Sequence, residues 1–234
     1  MNSIFVTTSW DDGHVLDLKL ADILRTYSLK GTFYIAPENR EFSQDNLLTD
    51  EQILDLSKDF EIGAHTVTHP HLSKVDNATA QYEILESKLM LEKIINKKVT
   101  SFCYPAGMYT KRDVMLVKKS GYLTARTVER FHNSLAKPLE LGTTIHTYDH
   151  WSDIPQIVKT VNFNLATFVK LFRRWDLLAM KMFDTVLTDG GVFHLWGHSW
   201  ELENRQEWAR LDRVCSYISN RQSVKYVTNS ELYE

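Results

Sequence analysis

The chain has 234 residues, 43% of them hydrophobic and 24% charged, with a net charge of −3. A chain of this length buries a full core as one domain spanning 1–234 without disulfide staples. The mild charge, free of like-charge blocks, excludes an electrostatic nucleic-acid or anionic-membrane binder. The first ten residues carry no Lys or Arg, and the uncharged stretch from Gly190 to Trp200 is about half a membrane span. Two cysteines, Cys103 and Cys215, lie in apolar patterns and read as buried free thiols. A cytoplasmic location is the expectation.

Short β-type runs alternate with helical patterns, which predicts an α/β fold around a parallel sheet. Ile4–Thr8 reads as the first strand, followed by a helix with Leu16, Leu20, Ile23, Leu24 and Tyr27 on one face, closed by Gly31. Thr32–Ile35 is a second strand. Thr49 with Gln52 forms a capping box for the next helix, and Glu61–Ala64 is a third strand. Asn77 caps a long helix to Ile95, and Thr100–Cys103 returns to the sheet. A helix at Lys111–Ser120, ended by Gly121, leads to a strand at Tyr122–Arg126. Residues 132–152 have no regular pattern. One helix from Leu165 to Leu187 precedes a strand at Val192–Trp196. Asn204 and Glu207 resemble a cap for a helix with Trp208, Leu211, Cys215 and Ile218 on its apolar face, and Lys225–Thr228 closes the sheet. The count predicts a distorted, incomplete (β/α) barrel of about seven parallel strands.

Unusual polar residues cluster directly after the predicted strands, on the face where barrels carry active sites. Asp11 and Asp12 in Ser9-Trp10-Asp11-Asp12-Gly13-His14 serve either as a helix N-cap or as a ligand and base pair. His65 and His69 in His65-Thr66-Val67-Thr68-His69 are either surface histidines or two metal ligands. With a carboxylate from another strand end they make three protein ligands and leave a position for water. Phe102-Cys103-Tyr104-Pro105-Ala106-Gly107 is a strand entering a turn whose N–H groups can face an oxyanion. Near the C-terminus, His194 lies inside a strand. His198, beyond Gly197, is the better placed general acid. Trp196 and Trp200 offer sugar-stacking faces or core packing.

Taken together, the segments SWDDGH, HTVTH, FCYPAG and HSWE, with the closing Tyr226 to Leu232, resemble the polysaccharide deacetylase superfamily over nearly the whole chain. The resemblance implies a hydrolase removing N-acetyl or O-acetyl groups from a sugar or glycan, with one divalent metal ion, often Zn²⁺. It implies Asp12, His65 and His69 as metal ligands, Asp11 as general base, His198 as general acid and the Ala106 N–H as oxyanion donor. Tyr104, Trp196 and Trp200 are the expected substrate contacts. Two departures stand out. Cys103 occupies the place of an arginine that fixes the catalytic aspartate, with Arg126 as its expected substitute. Tyr148-Asp149-His150-Trp151 only approximates the segment that orients the acid histidine, which makes Asp149 the expected orienter. The alternatives are a hydrolase of a cyclic amide or ureide, as in allantoinase, and a catalytically silent carbohydrate-binding relative.

Overall fold

The computed structural model describes residues 3–135, 137–160 and 164–234. Its strands are β1 (Ile4–Asp12), β2 (Thr32–Ile35), β3 (Glu61–Ala64), β4 (Ser101–Cys103), β5 (Thr124–Arg126), β6 (Ile145–His146), β7 (Gly191–Gly197) and β8 (Val224–Tyr226). All pairings between them are parallel, in the order β5-β4-β3-β2-β1-β7-β6. β8 pairs with Ile4–Val6 and β2 with Ser9–Asp12. The sheet curls into an incomplete barrel. Between its ends, Leu141 donates its N–H to the Ala125 carbonyl at 2.8 Å and accepts from the Thr127 N–H at 2.9 Å.

The helices are α1 (Asp17–Thr26), α2 (Asp50–Leu56), α3 (Asn77–Ile95), α4 (Lys111–Lys119), α5 (Ile154–Thr160), α6 (Leu165–Leu171), α7 (Trp175–Asp189), α8 (Ser199–Asn204) and α9 (Trp208–Ile218). The core unites Trp10, Phe33, Ile62 and Phe193 of the sheet with Leu20, Leu24, Ile84, Phe183 and Leu211 of the helices. Burying each such side chain stabilises the fold by about 1.5–3 kcal/mol before entropy is counted. The Thr49–Gln52 capping box is present. Both cysteines are buried free thiols. Among the described residues, no helix is long and apolar enough to cross a membrane.

Several boundaries differ from expectation, each for a local reason. β1 continues four residues past Thr8, because Ser9–Asp12 keep pairing with β2. Gly31 does not close α1: the helix ends at Thr26, and Ser28 takes the left-handed conformation. A Cβ on Gly31 would instead meet Thr8 Oγ1 at 2.9 Å. Asp76, not Asn77, caps α3, accepting the Thr79 N–H at 2.7 Å. The expected helix from Leu165 to Leu187 is broken between α6 and α7, where Arg173 has φ +53° and Asp149 accepts the Trp175 N–H at 2.8 Å. No Gly or Pro marks that break. Asn204 ends α8 instead of capping α9, and Glu207 at the α9 cap position makes no side-chain cap bond.

Candidate active site

Register brings the chemistry to one level. Asp12 pairs with Ile35, Ile35 with Ala64 and Ala64 with Phe102, while Trp10 pairs with Gly197 and His146 with Trp196. The residues at or just beyond these strand ends line a cavity of about 350 Å³, including Asp11, Asp12, His65, His69, Ala106, Trp196, His198 and Trp200. The two aspartates do not form an N-cap, since α1 starts at Asp17 with Leu16 at its cap. Regular alternation would send them to opposite faces. Asp12 has φ +84° and Gly13 φ +72°, which turns both carboxylates into the cavity. A Cβ at Gly13 would meet Ile35 Cγ2 at 2.8 Å. Thr66 (φ +66°), His69 (φ +61°) and Ala106 (φ +51°) are also left-handed. Such non-glycine conformations cost about 1–3 kcal/mol each and concentrate at functional sites.

Asp12 Oδ1 lies 3.8 Å from His65 Nε2 and 3.4 Å from His69 Nε2, and the two Nε2 atoms are 3.1 Å apart. The outer nitrogens fix the ring orientations: His65 Nδ1 bonds the Cys103 carbonyl at 2.8 Å, and His69 Nδ1 bonds Glu41 at 3.0 Å. With Nδ1 as the donor in each ring, both Nε2 lone pairs face inward, beside an Asp12 Oδ1 that is buried without a hydrogen-bond partner. Tetrahedral ligands about 2.0–2.1 Å from one ion stand roughly 3.3 Å apart. The three atoms therefore fit a divalent cation, and two imidazoles with one carboxylate are the donor set of an open catalytic site. Burial, with His69 adding to it, pushes the His65 imidazole down to about 4, so the ring is neutral. From α3, Glu83 accepts the N–H groups of Val67 and Thr68 at 2.8 and 2.9 Å, anchoring the loop that carries both histidines.

Asp11 pairs with Arg126 in the barrel interior, where Arg126 is fully buried. Cys103 Sγ lies 3.7 Å from Asp11 Oδ2 and 2.9 Å from Arg126 Nη2. Burial pushes the Asp11 carboxyl up, but Arg126, His65 and His198 outweigh it and hold it at about 2. Asp11 Oδ1 has no hydrogen-bond partner among the described residues. His198 Nε2 lies 3.9 Å from Asp11 Oδ2, and its Nδ1 bonds Glu201 Oε2 at 2.6 Å. Burial lowers the His198 imidazole, yet Glu201, Asp12 and Asp11 prevail and raise it to about 9. His194 is buried within β7 and bonds Ser9 Oγ at 2.8 Å.

Three expected contacts are corrected. Asp149 does not orient His198: it accepts the Trp175 N–H and pairs with Arg210 at 3.4 Å. Glu201 holds that position, inside the same HSWE segment one turn of helix on. Tyr104 does not line the cavity, because its ring is buried against Tyr109 at 4.1 Å and its hydroxyl donates to the Leu139 carbonyl at 3.0 Å. Trp196 borders the cavity but is almost wholly buried, at 4% exposure, with His146 stacked on its ring at 3.9 Å and the Arg126 guanidinium 4.5 Å from it. Trp200 keeps a partly exposed position beside Phe42 and donates Nε1–H to Asp12 Oδ2 at 2.8 Å. Sequence reasoning missed His146, whose Nδ1 bonds His150 Nε2 at 2.8 Å and whose Nε2 is 3.2 Å from Glu201. A two-residue strand leaves no periodic signal, so only the His-x-x-x-His spacing of His146 and His150 marked it.

A family profile described as polysaccharide deacetylase matches residues 2–125, a little over half of the chain. YxkH of Bacillus subtilis (strain 168), assigned to the polysaccharide deacetylases, is 25% identical over 126 residues, covering 53% of this chain and 44% of that protein. Among solved structures, the Streptococcus pyogenes deacetylase PplD in complex with acetate matches with a TM-score of 0.55 and 24% identity, over 58% of this chain and 62% of its own. A Mycobacterium smegmatis protein assigned to the polysaccharide deacetylases matches over 99% of this chain and 89% of its own, with a TM-score of 0.68 and 14% identity. The match thus spans less than half of YxkH and under two thirds of PplD.

Proposed function

Because the chain belongs to the polysaccharide deacetylase family, we propose that it is a metal-dependent hydrolase that removes N-acetyl or O-acetyl groups from a sugar or glycan, the whole chain acting as one catalytic domain. The observation that carries this reading is the buried Asp12 Oδ1, which has no hydrogen-bond partner among the described residues and faces the Nε2 atoms of His65 and His69. When held there, a divalent cation, Zn²⁺ in this reading, lowers the pKa of water and polarises the acyl carbonyl.

The chain's own residues manage the protons. Arg126 occupies Asp11 Oδ2, so Oδ1 takes the proton of the attacking water. The N–H of Ala106, on the cavity wall, donates to the oxyanion that forms at the carbonyl oxygen. As that carbon–nitrogen bond breaks, His198 Nε2 gives its proton to the leaving nitrogen, and Glu201 steadies the ring through Nδ1. Water has then been split between acetate and the amine, and the proton held by Asp11 returns to His198 to restore both groups. Two buried free thiols suit a reducing compartment, so a soluble acetylated precursor or short glycan in the cytoplasm is the proposed substrate.

The test is acetate release by the zinc-loaded protein over a panel of N- and O-acetylated oligosaccharides, with cyclic ureides as the competing substrate. Ring opening without acetate release would replace this reading.

A further inference from the structure

A second cavity, of about 220 Å³, adjoins the first, and His150 lines both. Its walls come from residues 145–205, beyond the family match that ends at residue 125. Trp151 and Phe172 meet edge to face on its wall at 5.5 Å, and Trp151 is 70% exposed. An indole left bare beside a cavity offers a face to a ring. The carboxylates of the lining are already neutralised: Asp149 pairs with Arg210 at 3.4 Å, and Asp153 with Arg130 at 2.6 Å. Two guanidinium groups of the lining have no carboxylate within hydrogen-bond distance among the described residues. Arg205 lies over the Tyr148 ring at 4.3 Å, and its ion pair with Glu207, at 3.6 Å, is too long for a hydrogen bond. Arg173, also in the lining, has no hydrogen-bond or ion-pair partner among the described residues, whereas its neighbour Arg174 is paired with Asp176 at 2.9 Å.

An aromatic wall with unspent guanidinium groups matches a sugar ring that carries an anion, since planar N–H pairs chelate carboxylate and phosphate. We propose that this cavity is a subsite for an anionic sugar unit, a uronate or a sugar phosphate, adjoining the acetylated unit in the catalytic cavity. The inference rests on the deacetylase reading of that cavity, and it makes the substrate an acidic acetylated glycan instead of a neutral one.

Calorimetric titration of the zinc-loaded protein at low salt tests it, because exposed charges are screened at high salt. The probes are a tetrasaccharide alternating N-acetylglucosamine and glucuronate, N-acetylglucosamine 1-phosphate, and neutral chitotetraose. At least one anionic probe should bind roughly tenfold tighter than chitotetraose, as expected for a charge-assisted bond. The one that does identifies the anion as carboxylate or phosphate. The double variant Arg173→Gln, Arg205→Gln should erase that preference with no change in melting temperature or chitotetraose affinity. Equal affinity for all three probes, or a variant that weakens neutral and anionic probes alike, overturns the subsite. Charge-selective binding in a protein that releases no acetate would keep the subsite and remove the deacetylase reading instead.

Discussion

Glu201 lies three residues after His198 and accepts its Nδ1–H at 2.6 Å, so a single helical turn carries both the proposed acid and its anionic partner. Burial pushes the Glu201 carboxyl up, but His146 and His198 together hold it well below the usual carboxylate range. Glu201→Gln removes that charge and leaves the ring free to turn. Acetate release should fall about 10²-fold, within the span of general acid–base contributions. Asp149→Ala should leave turnover nearly intact while lowering the melting temperature, because Asp149 accepts the first N–H of α7. The opposite ranking in a steady-state assay would return the orienting role to Asp149.

Asp11→Asn should cost about 10²–10⁴-fold in turnover, since a carboxamide cannot take the proton of water. Zinc content should stay at one ion per chain, because the proposed ligands are other side chains. The variant should also be less stable by about 3 kcal/mol, as Arg126 would be buried without its counter-charge. Metal analysis beside denaturant unfolding checks both halves. Loss of zinc with the activity would make Asp11 a ligand.

The sequence made the barrel and one wall of the cavity legible, for identifiable reasons. Strand ends followed by Asp-Asp-Gly and by His-x-x-x-His announce themselves locally, because metal ligands and tight turns need particular residue types. The burial of Arg126 beside Asp11 was inferable only as a replacement for the arginine that Cys103 displaces. Tyr104 and Trp196 were misread because an aromatic beside a site motif looks the same whether its face is free or covered. The break before Trp175 is set by a long-range bond from Asp149, which no local pattern encodes. His146 belongs to a strand too short to show alternation. These misses share one cause: each is decided by a tertiary contact, not by composition or period.

Zinc should bind and stabilise the folded protein. At a free concentration one hundredfold above Kd, the gain is about 2.7 kcal/mol. Differential scanning calorimetry should show a higher Tm with zinc than after chelation, and no zinc-dependent rise in His65→Ala. Chelation should abolish acetate release and added zinc restore it. An identical Tm in the wild type with and without zinc, together with chelator-resistant turnover, would remove the metal from the reading.

Trp200 separates two roles for one aromatic ring. Its Nε1–H donates to Asp12 Oδ2 at 2.8 Å, which leaves Oδ1 as the oxygen turned toward His65 and His69. Groups that orient a metal ligand through its outer atom typically contribute 10–100-fold in metal affinity. Trp200→Phe keeps an aromatic face beside Phe42 and removes only the donor. Zinc affinity, measured by competition with a chromogenic chelator, should therefore fall about 10–100-fold, while KM at saturating zinc changes little. If zinc affinity is unchanged and KM rises steeply, the indole acts as a platform for the sugar and not as a support for Asp12.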